Sequence, residues 1–275
     1  MTDDRGLRIN PFIRQLVCSS SGKTVNHDEF RRPIGLCACC PPPGKPVIVE
    51  YDLDRARLGE PRRSLGMWSF ADLLPVTGVE PSFAADVGLT PTVELEVWSR
   101  ELGITVLAKN EGTNPSGSFK DRGLAAGIAL GRACGAERFC LPTQGNAGVA
   151  ASLFSARLGL PGCLVYMPEG YEDGLYHREA SYFGAEVRFH GANIAAAGKK
   201  MREDVASELA SGAYVDMSTF FEPGRLEGKK TMGLEIFQHF GADGLPDWIL
   251  YPPGGGTGLV GIWKAFQELT AMGLI

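Results

Sequence analysis

The chain has 275 residues, a formal net charge of −5 at pH 7, and a composition that is 44% hydrophobic and 21% charged. That ordinary globular balance excludes disorder along the whole length, and the mild acidity excludes a bulk basic footprint for nucleic acid. The length predicts one or two domains around a sizeable core, and the 36 glycines follow no collagen period.

The chain starts Met-Thr-Asp-Asp-Arg, with no apolar stretch behind it, so it does not read as a secretory signal. No run of 18 apolar residues occurs, so no transmembrane helix is expected. Seven cysteines, an odd number in a chain of this size, argue against a disulfide framework and for a reducing cytoplasm.

Residues 1–60 read as an N-terminal arm with little helix. They hold four of the cysteines, the turn-rich stretch Pro41-Pro42-Pro43-Gly44-Lys45-Pro46, and the short β run Val47–Tyr51. Cys37 and Cys40 form a C-x-x-C pair, but Ser21 stands where a second pair opposite Cys18 would end. Cys39 or His27 offers a substitute ligand. Structural zinc nearly always takes four ligands, so the sequence predicts a degenerate, metal-free ribbon. Residues 54–66 read as a linker.

From about residue 90 short apolar runs alternate with helical stretches. Strands are expected at 104–108, 138–141, 163–167, 186–190 and 248–251. Helices are expected at 119–134, 147–158, 176–182, 195–211 and 259–272. This alternation predicts an α/β architecture with parallel sheets and right-handed crossovers. The chain stops right after a helix, where an open sheet would continue, so it reads as part of a longer protein.

Three small-residue loops precede helices, where open α/β folds bind ligands. In Asn114-Pro115-Ser116-Gly117-Ser118-Phe119-Lys120, a lysine stands at a helix start, against the macrodipole. That placement suits an amine of lowered pKa or one consumed by an imine. In Thr143-Gln144-Gly145-Asn146-Ala147-Gly148, free backbone amides could hold a carboxylate. In Gly254-Gly255-Gly256-Thr257-Gly258, consecutive glycines let amides close around a phosphate. Gly256–Gly261 also fits G-x-G-x-x-G, but the acid expected about 20 residues later falls beyond the chain. Gly22-Lys23-Thr24 fails as a P-loop because Val17 replaces the required glycine. The histidines at 27, 177, 190 and 239 have no catalytic setting and read as structural.

Together these loops resemble the fold-type II pyridoxal-phosphate enzymes, and among them the threonine synthases. Glu227-Gly228-Lys229-Lys230-Thr231-Met232-Gly233, Met67-Trp68, Leu73-Leu74-Pro75-Val76 and Val49–Leu53 carry the narrower resemblance. Gln144 departs from it, standing where Ser or Thr is usual. The resemblance implies a two-lobed lyase of threonine biosynthesis, with 61–105 and 215–275 in an incomplete larger lobe and 106–214 in the smaller one. It implies that Lys120 binds pyridoxal phosphate as an imine and acts as the base at Cα. Asn146 would meet the cofactor ring, and Gly254–Gly258 its phosphate. Ser116, Arg122, Thr143, Gln144 and Lys229 are the expected substrate contacts, and no metal ligand is expected. The implied reaction converts O-phospho-L-homoserine and water to L-threonine and phosphate. Its rivals are a serine/threonine dehydratase and a truncated cofactor-binding protein without activity. Low turnover and association of copies through an unfinished sheet edge are expected for the chain as it stands.

Overall fold

The computed structural model describes residues 6–25 and 33–275, which leaves His27 outside the described residues. The chain opens with β1 (Arg8–Ile9), β2 (Ile13–Cys18), β3 (Thr24–Val25) and β4 (Val47–Tyr51), the last three pairing antiparallel in the order β3-β2-β4. The expected arm is welded to the rest. β1 pairs antiparallel with β5 (Val76–Thr77), and the buried Asn10 amide donates to the Asp72 and Leu74 carbonyls at 2.8 and 2.7 Å. Leu16, Val47 and Val49 share one apolar core with Met67, Trp68 and Leu124. The stretch expected as a linker runs straight into a buried 3-10 helix, Gly66–Leu73.

The structure gathers the cysteines of the arm. The Sγ atoms of Cys18, Cys37, Cys39 and Cys40 all lie within 4.8 Å of one another, so Cys39, one of the two substitutes named for the position that Ser21 leaves, is the one brought to the cluster among the described residues.

Next come α1 (Pro81–Ala84), β6 (Thr92–Glu94), α2 (Glu96–Leu102) and β7 (Leu107–Lys109). The strand expected at 104–108 shifts to β7 and pairs antiparallel with β6 instead of entering a parallel sheet.

The expected alternation runs from α3 (Lys120–Ala133) through β8 (Arg138–Pro142), α4 (Asn146–Arg157), β9 (Leu164–Met167), α5 (Leu175–Tyr182) and β10 (Glu186–Phe189). The helix expected at 195–211 splits into α6 (Ile194–Asp204) and α7 (Ala206–Ser211) at Val205, whose φ of −118° and ψ of 27° are not helical. β11 (Tyr214–Asp216), which the sequence did not suggest, completes a parallel sheet in the order β10-β9-β8-β11. Phe139, Leu141, Val165 and Met167 face the core built on α3 and α4. Cys140, Leu164 and Tyr166 face Ala197 and Met201 of α6. Burial on both faces is why these strands read as continuous apolar runs.

Two long helices finish the chain, α8 (Gly224–Phe240) and α9 (Thr257–Ala271). α8 escaped the sequence reading because Gly228, Gly233 and two adjacent lysines argue against a buried helix. It is nonetheless buried from Gly224 to Glu235, between α3 and α9. A Cβ at Gly228 would collide with the Arg122 carbonyl, and one at Gly233 would sit 2.6 Å from Ala265 Cβ. The strand expected at 248–251 does not form. Trp248 and Leu250 are 85% and 92% exposed, and no neighbouring strand pairs with them. Among the described residues there is thus one parallel sheet, and no helix is long and apolar enough to cross a membrane.

Candidate functional site

α3 enters β8 through a short turn and α4 leaves it, so both helices begin at the carboxyl edge of the parallel sheet, where such folds place ligands. Lys120 is the first residue of α3 and Asn146 the first of α4. The Lys120 Nζ lies 3.7 Å from the centroid of the Phe119 ring. Burial, followed by the Arg225 charge, brings its ammonium down to about 8.

The glycine loop reaches this lysine through α8. Lys229, buried on α8, donates to Thr257 Oγ1 at 2.7 Å, and its Nζ lies 4.7 Å from the same Phe119 ring. Tyr251 meets that ring edge-on at 5.7 Å. Burial and the charges of Arg225 and Lys120 push the Lys229 ammonium well below its ordinary range. Arg225 is itself buried: Nη1 donates to the Met217 carbonyl, while Nε has no partner among the described residues. The acid facing these cations is Glu222, which accepts the Gly224 and Arg225 backbone amides at 2.6 and 2.9 Å. Burial raises its carboxyl to about 7. Asp216, which also acts on Arg225, is already paired with Arg202 at 2.7 Å. Lys120, Lys229 and Arg225 therefore converge with too little negative charge to match them.

The loop itself is tight on one side and open on the other. A Cβ at Gly255 would sit 2.5 Å from Thr219 Cγ2, one at Gly258 would strike the Tyr251 hydroxyl, and one at Gly254 would meet nothing within 4 Å. Gly256 has φ of +84°, which favours glycine, and caps α9 so that the amides of its first turn have no intrahelical acceptor.

The remaining expected residues divide. Thr143 Oγ1 accepts from the Gly145 amide at 3.2 Å, and Gln144 Nε2 donates to the Tyr171 hydroxyl at 3.1 Å. Asn146 makes no side-chain hydrogen bond among the described residues. Ser116 donates to buried Asp121 and lines an open cavity of about 570 Å³, with Gly117, Val149, Arg178 and Tyr182. Arg122 is removed from the substrate role. Its guanidinium is fully buried and spends every donor on Glu111, Glu235, Thr90 and Thr231. Arg225, Glu222, Tyr251 and Arg178 were missed. The acid and arginine just ahead of the Glu227–Gly233 segment were the available signal for the first two; Tyr251 and Arg178 had none.

Residues 84–273 match the family model described as "Pyridoxal-phosphate dependent enzyme". The chain is 31% identical over 264 residues to the threonine synthase of Methanocaldococcus jannaschii, covering 94% of this chain and 62% of that protein. It is 33% identical over 199 residues to the threonine synthase of Halalkalibacterium halodurans, covering 72% of this chain and 54% of that protein. The chain thus spans a little over half the length of these relatives. Among solved structures it resembles O-ureido-L-serine synthase, with a TM-score of 0.58 and 21% identity over 68% of this chain and 58% of that one.

Proposed function

The chain belongs to the pyridoxal-phosphate dependent enzyme family, and on that premise we propose that this site binds the cofactor through Lys120 and forms L-threonine from O-phospho-L-homoserine and water. The observation that carries the reading is the charge imbalance at the glycine loop. Two lysine amines and one guanidinium face one acid whose carboxyl is itself raised to about 7; burial and their mutual repulsion lower both ammoniums, and Arg225 Nε is left unpartnered. A phosphate dianion restores that balance, so the residues present fit the cofactor. Gly254–Gly258, Thr257 and Lys229 would hold its phosphate, and Asn146 would face its ring.

Pyridoxal phosphate, when bound, supplies an electron sink for negative charge at the substrate Cα. The protein supplies the rest. Lys120, its amine half neutral near pH 8, would hold the cofactor covalently and then move the proton at Cα. Phe119 lies against the amine and Tyr251 packs edge-on against Phe119, so the pair would shield one side of the amine from water. Thr143 and Gln144 are proposed substrate contacts, and Ser116 and Arg178 the proposed seat of the substrate phosphate in the neighbouring cavity.

A second reading, β-elimination from serine or threonine, draws support from Lys229 and Arg122. Lys229 is bound into the cofactor loop and Arg122 into an ion network, which leaves the second phosphate site thin. The test is phosphate release from O-phospho-L-homoserine beside 2-oxo acid release from threonine. The proposal expects the first and fails on the second alone. Borohydride reduction with pyridoxal phosphate should fix the label on Lys120; a label on Lys109, Lys229 or Lys230 overturns that role.

A further inference from the structure

We propose that Cys18, Cys37, Cys39 and Cys40 form a four-thiolate site for one zinc ion. Cys18 ends β2, and the other three come from the loop that precedes β4. All four sulfurs lie within 4.8 Å of one another, with Cys37 and Cys18 at 3.3 Å and Cys18 and Cys40 at 3.6 Å. Thiolates ~2.3 Å from a tetrahedral zinc stand ~3.8 Å apart, so small movements bring this cluster to the required spacing. All four thiols are free.

Groups around the sulfurs are arranged for thiolates. The Ser21 hydroxyl lies 3.5 Å from Cys39 Sγ. Hydrogen bonds to ligating sulfur spread its charge and fix its direction. The turn is itself held, by the Gly22 amide on the Cys18 carbonyl at 2.9 Å and the Cys37 amide on the Lys45 carbonyl at 2.8 Å. Ser21 therefore stands beside the site as a donor, and Cys39 takes the ligand position. A four-sulfur tetrahedron selects zinc or iron, and an all-thiolate mononuclear site without redox demands suits zinc. On binding, four thiols release four protons to solvent and the site is left with a net charge of −2.

The test is elemental analysis of the full chain, purified without added metal and dialysed against a mild chelator, together with thiol titration. The proposal expects one zinc per chain and four thiols that react only after a strong chelator is added. Cys18 and Cys37 are buried, so their replacement threatens folding; Cys39 is exposed, which makes Cys39→Ser the informative variant. Cys39→Ser should weaken zinc retention at least about tenfold. Adding Ser21→Cys in that background should restore it, because the new thiol lies beside the lost one. Failure to take up equimolar zinc, stoichiometric iron in its place, thiols found as disulfides, or undiminished zinc in Cys39→Ser would each overturn the assignment.

Discussion

Lys229 and Lys230 are neighbours on one buried helix, yet they lead to opposite sides of it and to opposite electrostatic situations. The Lys230 amine meets Glu227 at 2.7 Å and Glu268 at 2.9 Å, and Lys264 meets the same two acids at 2.7 and 2.8 Å. Two cations and two anions close a balanced set, and the Tyr51 hydroxyl of the arm donates to Glu227 at 3.1 Å. The Lys229 amine has the Thr257 hydroxyl, the like charges of Arg225 and Lys120, and Glu222 as the acid set against them. A buried set that balances is complete within the protein. One that does not balance needs an anion from outside, since unmatched buried charge is costly. The contrast separates scaffold from site more sharply than burial does, because both lysines are buried.

Four measurements set the two sides of α8 against each other. Lys230→Met leaves Glu227 and Glu268 short of a partner and should cost about 3–5 kcal/mol of stability in denaturant unfolding. Pyridoxal phosphate affinity of the folded fraction should change little. Lys229→Met should do the reverse: stability held or raised, with cofactor affinity reduced by about 1.5–3 kcal/mol, roughly ten- to a hundredfold. If both variants lose stability alike, the two sides of α8 do not differ as described. Gly255→Asp puts a Cβ 2.5 Å from Thr219 and a negative charge at the loop. It should weaken cofactor binding at least tenfold, about 1.4 kcal/mol, and unchanged affinity would remove the loop from the phosphate role.

The remaining effect is a pH dependence. The Lys120 ammonium titrates at about 8 in the folded chain against an ordinary 10.5. Between those values the unfolded chain keeps a proton that the folded chain has released, so cofactor-free protein should gain stability as pH rises from about 8 to 10.5. Below about 8 the full penalty of the buried charge applies. Lys120→Met should flatten this rise, and an unchanged slope in thermal unfolding series would assign it to other groups.

The inner strands β8 and β9 were legible because burial on both faces writes itself as apolar runs, as in Cys163–Met167, whereas the three-residue β11 offers too short a run to read. The strand expected at 248–251 has the same apolar character, but pairing depends on a neighbour that local pattern does not reveal. Lys120 was legible because a cation at a helix start violates a local rule. Arg122, one turn past Ser118, looked equally placed for a ligand. Its true partners, Glu111 and Glu235, lie 11 and 113 residues away in the chain, beyond the reach of spacing. Lys229 was named, but its attachment to Thr257 crosses 28 residues. Cys39 and His27 read as equal substitutes for the ligand that Ser21 lacks, because spacing alone does not show which side chain the loop before β4 folds back against Cys18.

α3 and α8 meet along a row of absent side chains. A Cβ at Gly123 would stand 2.9 Å from the Arg225 carbonyl oxygen, one at Gly224 would lie 2.5 Å from the Gly127 Cα, and one at Gly228 would collide with the Arg122 carbonyl. Main chain rests on main chain, with no flexible layer between. The Lys120, Lys229 and Arg225 side chains carried by these helices are consequently kept close, and their repulsion shows as the lowered ammoniums of the two lysines. The fold works as a clamp: an anion arriving between these groups would let both amines take up their protons, so part of the proposed affinity for phosphate is set by helices held too close to yield.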